Sequence, residues 1–152
     1  MSGTYTKLVP CDKTKERIAE IVNLINLENP ASVHDLHVTV IFSRKECPGI
    51  NDFRPILPIK AVGAQFDIFP NKDGTKCLVL KLKSHHMDML HQLCRREYGA
   101  SHDYPQYIPH LTLSYDYTQP TVPSNDVAGY FKDLIFDVYA VEPLNLDWIS
   151  TI

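Results

Sequence analysis

The sequence predicts an α+β fold: a two-lobed, duplicated αβ unit whose two antiparallel sheets surround a central groove. Three observations carry that prediction. The tripeptide His-x-Thr occurs twice, as His37-Val38-Thr39 and His110-Leu111-Thr112. Both copies lie in strand-like apolar runs, and their histidines stand 73 residues apart, close to half of the 152-residue chain. Around each copy one order recurs: strand, helix, loop, motif strand, loop, strand. Composition alone gives roughly 0.4 expected copies of His-x-Thr for seven His and nine Thr.

The elements follow in order. Thr4 to Val9 reads as a strand. A helix comes next: Asp12 is a suitable N-cap, and Ile18, Ile21, Val22 and Ile25 recur at i, i+3, i+4 and i+7, with Asn29-Pro30 beyond the end. The first motif strand is followed by a polar loop from Glu46 to Pro58 and a strand from Ile59 to Phe69. The second half opens on a strand from Cys77 to Lys83. Ser84 then caps a helix with the stripe Met87, Leu90, Cys94 and Tyr98, Leu93 lies alongside, and Gly99 stops it. After the second motif strand come a loop from Gln119 to Gly129 and a strand from Leu134 to Val141. From each N-cap to its motif histidine the spacings are 25 and 26 residues. Matching offsets point to duplication about a pseudo-two-fold axis, with the motif strands lining the groove and the helices covering the outer faces. The loops carry Pro, Gly and Asn and read as surface connections, so residues 1–152 are expected to form one two-lobed domain.

Composition bounds the function. Apolar residues at 44% fit a soluble globular protein. A formal net charge of −3 argues against a protein that coats polymeric nucleic acid, while leaving room for a small nucleotide. No apolar run approaches the ~20 residues needed to cross a membrane, and the N-terminal residues do not read as a signal peptide. Cys11, Cys47, Cys77 and Cys94 show no CxxC spacing and read as reduced thiols of a cytoplasmic protein. The remaining histidines show no zinc-like pattern: His91 and Cys94 share a helical face with the core stripe, and His85, His86 and His102 read as solvated. No metal and no other cofactor is expected.

The motifs themselves carry the chemistry. Residues i and i+2 of a strand share a face about 7 Å apart, so each tripeptide presents an imidazole beside a hydroxyl. Two such pairs facing each other would cradle one phosphate between two proton-transfer groups and two hydrogen-bond donors. A histidine of ordinary pKa near 6.5 can act as base or acid near neutrality, at about 10²–10⁴-fold per transfer. Thr39 and Thr112 would donate to the non-bridging oxygens. A 3′–5′ linkage with a 2′-OH brings its own nucleophile, and the first product would be a 2′,3′-cyclic phosphate. The symmetric motif does not say which histidine is base and which is acid. Lys7, Lys81 and Arg44 are candidates for balancing phosphate charge. Tyr115, Phe131, Phe136 and Tyr139 lie in apolar runs and read as core.

The two His-x-Thr motifs, the Pro109-His110-Leu111-Thr112-Leu113 form of the second, and the duplicated layout resemble the 2H phosphoesterase superfamily. Within it, Tyr5 and the run from Val141 to Trp148 are similar to the phage anti-CBASS nuclease family of T4-like viruses. Those enzymes degrade the cyclic oligonucleotide messengers of bacterial anti-phage defence. The resemblance implies a metal-independent phosphodiesterase in the host cytoplasm, catalysis by His37, Thr39, His110 and Thr112, and base contacts from Tyr5, Glu142 and Trp148. Phe66 or Phe69 would supply a further wall. The implied partner is a small cyclic oligonucleotide, with no polymeric nucleic acid and no membrane. A linear 2′–5′ oligoadenylate, an RNA 2′,3′-cyclic end, or sequestration of a messenger without cleavage are the alternatives that this layout also accommodates.

Overall fold

The computed structural model describes residues 3–104 and 106–144. Its elements are β1 (Thr4–Pro10), α1 (Asp12–Leu24), β2 (Val38–Ser43), β3 (Ile59–Pro70), β4 (Lys76–Lys83), α2 (His85–Tyr98), β5 (His110–Ser114), α3 (Asn125–Ala128) and β6 (Leu134–Pro143). The expected elements are all present within two residues of their predicted bounds.

Helix ends show where local rules hold. Ser84 Oγ accepts from Met87 N–H at 3.2 Å, and Gly99 closes α2 in the left-handed region at φ 70°, both as expected. In α1 the N-cap is Cys11, with Asp12 as the first helical residue favouring the positive end of the helix dipole. With that correction the cap-to-histidine spacing becomes 26 residues in both halves. The helix stops before Asn29-Pro30. Asn26 takes φ 53°, its N–H reaches Asn23 O, and Leu27 N–H reaches Val22 O, a paired closure that satisfies the last carbonyls.

All strand pairs are antiparallel, and the strand order is β2-β1-β6-β3-β4-β5. The two expected sheets are thus joined into one. β3 pairs with β6 through Ile59, Lys60 and Ala61, then turns to β4 from Val62 to Pro70. At the switch, a Cβ on Gly63 would lie 2.6 Å from Ala128 O, so the close approach of α3 requires glycine. The order reads the same from either end when β1, β2 and β3 are exchanged for β4, β5 and β6. That palindrome is the pseudo-two-fold axis, and it shows that each half's last strand sits beside the other half's first strand.

Alternation divides the sheet's faces. Leu8, Leu78, Leu80, Leu111 and Leu113 join one core with Ile18 and Ile21 of α1 and Met87 and Leu90 of α2. Leu80 and Leu111 are fully buried, so truncating either to Ala would cost about 2–5 kcal/mol. The opposite face carries Thr39, Cys77, Val79, His110 and Thr112 into the main cavity. The sheet curls until its edge strands β2 and β5 meet. No helix among the described residues is long and apolar enough to cross a membrane.

Candidate active site

Both motif histidines are held by the same local bond. His37, one residue ahead of β2, donates from Nδ1 to Asp35 O at 2.7 Å; His110, the first residue of β5, donates from Nδ1 to Ile108 O at 2.9 Å. A carbonyl can only accept, so each ring carries its neutral-state proton on Nδ1 and presents Nε2 as the nitrogen that exchanges protons. A turn of 3-10 helix, Val33–Asp35, capped by Ser32, brings the Asp35 carbonyl to His37.

The motif threonines are equally matched. Thr39 lies opposite Lys7 and Thr112 opposite Val79, and in each strand the next residue, Val40 or Leu113, is skipped by the ladder. A bulge directly after the threonine bends each motif strand in the same way. Tyr5 Oη lies 3.0 Å from Thr39 Oγ1. Tyr115 makes the corresponding hydrogen bond to the Thr112 side chain, which works against the burial that raises its pKa. Burial also pushes the Tyr5 hydroxyl up to about 12. Both phenols therefore stay protonated at neutral pH. A phenol that donates into a threonine lone pair leaves the threonine's single O–H to point elsewhere.

The surroundings of the two motifs differ. Burial lowers the His37 pKa first, and the nearby Lys7 charge and His110 lower it further, against the Asp35 carbonyl bond. The Tyr5 ring meets His37 edge-on at 6.4 Å. Lys7 Nζ pairs with Glu142 Oε1 at 3.2 Å, and Glu142 stands opposite Tyr5 across β1 and β6. His110 instead packs edge-on against Phe69, with ring centres 4.9 Å apart. Lys81, opposite His110, pairs with Asp67 at 2.7 Å. Arg44 is taken up by both carboxylate oxygens of Asp103.

A cavity of about 490 Å³ lies over this face, lined by Thr39, Thr112, His110, Phe69, Phe42 and Tyr107 among others. Polar groups at its wall include Asn71 and Gln106. Phe69 thus supplies the wall that Phe66 does not: Phe66 is buried against Phe131. Tyr5 is only 3% exposed, so it offers the site its hydroxyl, not an open ring face for stacking. Glu142 is partly exposed beside it. Trp148 lies outside the described residues. A smaller hollow of about 210 Å³ beneath the end of α1 is lined by Ile18, Val22, Leu27 and Leu113 and carries no proton-transfer group. Among the described residues, no three His, Cys, Asp or Glu side chains converge as metal ligands.

Sequence reasoning missed several residues. Tyr115 was expected in the core, yet its hydroxyl reaches Thr112. His102 was expected in solvent, yet it lines the cavity with its Nδ1 buried. Tyr107 gave no local signal, and it reaches Thr39 O at 2.7 Å from 68 residues away.

The palindromic antiparallel sheet is a fold shared with solved phosphoesterase structures. A solved phosphoesterase structure superposes with a TM-score of 0.57 at 15% identity, covering 92% of this chain and 86% of that one. Escherichia coli LigT complexed with phosphate gives a TM-score of 0.57 at 12% identity, covering 95% and 94%. The particular family follows from sequence. The profile described as Anti-CBASS protein Acb1 matches residues 2–151, and the chain belongs to that family. The Anti-CBASS protein Acb1 of Vibrio phage KVP40 is 30% identical over 97% of this chain and 91% of its own length. That of Enterobacteria phage T4 is 29% identical over 97% and 91%.

Proposed function

We propose that this chain is a metal-independent phosphodiesterase that cleaves 3′–5′ bonds of cyclic di- or trinucleotide immune messengers, so that a phage escapes CBASS defence in the host cytoplasm. The observation that carries the reading is the paired motif: two histidines with Nδ1 fixed by backbone carbonyls, each beside a tyrosine-bound threonine, at the starts of two edge strands that meet. Family membership supports the substrate class.

The asymmetry around the histidines supports a division of roles. His37 is the base, because burial and the Lys7 charge favour its neutral form. Its Nε2 takes the 2′-OH proton as the 2′-oxygen bonds to phosphorus. His110 is the acid: its protonated Nε2 delivers a proton to the 5′-oxygen as the P–O5′ bond breaks. Thr39 and Thr112 donate to the two non-bridging oxygens, where charge accumulates. The product is a linear oligonucleotide ending in a 2′,3′-cyclic phosphate, which water opens in a second cycle with the histidine roles reversed. Glu142 and Trp148 are the base contacts; the Glu142 carboxylate has capacity for an exocyclic amine besides Lys7. Phe69 is an edge against which a base rests.

The test is incubation of the protein with cyclic di- and trinucleotides in excess EDTA, with linear 2′–5′ oligoadenylate and RNA 2′,3′-cyclic ends as competitors. Linear product with a 2′,3′-cyclic end is expected from the cyclic ribonucleotides, and none from an all-2′-deoxy ligand. Cleavage confined to the linear substrates, or activity lost in EDTA and restored by a divalent cation, overturns the reading.

A further inference from the structure

β2 is an edge strand, and an edge leaves backbone groups without a strand neighbour. Two carbonyls at its bulge are met by side chains of the second half. Tyr107 Oη donates to Thr39 O at 2.7 Å, and His91 Nδ1 donates to Val40 O at 2.7 Å. The two rings are stacked, with centres 4.1 Å apart and planes within 6°. His91 is 1% exposed and sits on α2, so the stack is anchored in the core. His102 closes against the pair edge-on at 4.6 Å. Further along the strand, Ser101 N–H donates to Ser43 Oγ at 3.0 Å. The other edge strand is held differently: the carbonyl of its bulge residue, Leu113, accepts from the main-chain N–H of Ala31 at 2.8 Å.

We propose that His91 and Tyr107 are positioning residues for the first motif, a stacked pair from the second half that fixes the Thr39–Val40 backbone and so aims the Thr39 hydroxyl and His37 at the phosphate. Neither ring needs to touch the reacting atoms. Tyr107 holds the peptide of the residue that donates to a phosphate oxygen, and His91 holds the next one. Loss of either bond frees the bulge to relax, and small misplacements of a transition-state donor are expensive. The pair also makes the first motif depend on the loop that leads into the second, so the two motifs are ordered together.

The inference rests on the proposed cleavage, and the test separates the two. A cyclic dinucleotide carries one phosphorothioate, as separate Rp and Sp forms, so that sulfur replaces one non-bridging oxygen at a time. Thr39 and Thr112 then each face a different isomer. Tyr107→Phe keeps the ring and removes one oxygen. It should lower kcat about tenfold with KM little changed, and shift the Rp/Sp rate ratio in the same direction as Thr39→Val. His91→Leu should behave alike, and His91→Asn, whose amide nitrogen can stand in for Nδ1, should restore most of the loss. A merely structural role would reduce the active fraction and leave the ratio alone. An unchanged ratio in Tyr107→Phe, or equal losses in His91→Asn and His91→Leu, overturns the proposal. If His91→Leu does not fold, Tyr107→Phe decides. If the parent protein cuts no cyclic dinucleotide, the function reading fails, and the clamp is read from NMR titration of His37. Its midpoint should rise toward the ordinary histidine value in Tyr107→Phe; an unmoved midpoint overturns the clamp.

Discussion

The two halves repeat one backbone and furnish it differently. Each has a histidine tied through Nδ1 to the carbonyl two residues earlier, a threonine bound to a tyrosine, and a bulge immediately after. Yet where the first half places Lys7 opposite Thr39, the second places Val79 opposite Thr112. Where the first sets Tyr5 against Glu142, the second sets Cys77 against Phe69. The repeat keeps one backbone geometry around each histidine, and the flanking positions differ in the way the proposed division of base from acid requires. The symmetry is in the main chain; the chemistry is in its violation.

The largest expected effects test the symmetric part. His37→Ala and His110→Ala should each lower turnover by about 10²–10⁴-fold in a product assay while substrate binding weakens far less. Near-native turnover in either would break the pairing. Thr39→Val and Thr112→Val should each cost about 10²–10³-fold, with loss confined to kcat. A change confined to KM would make the threonines simple binding contacts.

Smaller effects test the asymmetric part. His91 is held neutral, its pKa lowered to about 4 chiefly by burial. The unfolded chain takes up a proton there near 6.5 and the folded one only near 4, so stability falls as pH drops through that window. Urea denaturation of the parent should show a decline on the order of 2 kcal/mol between pH 7 and 5 from this residue alone, and His91→Asn should flatten it. Lys7→Met should be smaller still. Without the Lys7 charge the His37 pKa rises, so the acid limb of kcat/KM moves to higher pH and the loss below pH 6 is about several-fold. The parent's own acid limb should lie below 6.5. A limb unmoved in Lys7→Met would assign it to His110.

Much of this was legible in sequence because it is local. Strand alternation, the helix stripes, the Ser84 cap and the Gly99 stop each depend on residues a few positions apart. The motifs were legible because they are duplicated. What was missed spans the halves. His102, Tyr107 and Tyr115 owe their roles to partners or surroundings that periodicity does not encode, and Tyr115 reads as core because it is embedded in an apolar run. The single joined sheet was missed for the same reason, since only three residue pairs of β3 and β6 make the join. At α1, a helix-favouring Asp12 drew the cap assignment from Cys11, whose thiol donates to Thr14.

The exchanged last strands have a consequence for the chain during its synthesis. β1 leaves the ribosome first, but its place is between β2 and β6, and β6 spans residues 134–143. The first half can form its helix and the β1–β2 pair early; its sheet stays one strand short until residues 134–143 have emerged. Vectorial, half-by-half maturation is therefore closed to this topology. Acquisition of structure is expected to be late, cooperative and slow for the chain's length, because its decisive pairings join distant segments.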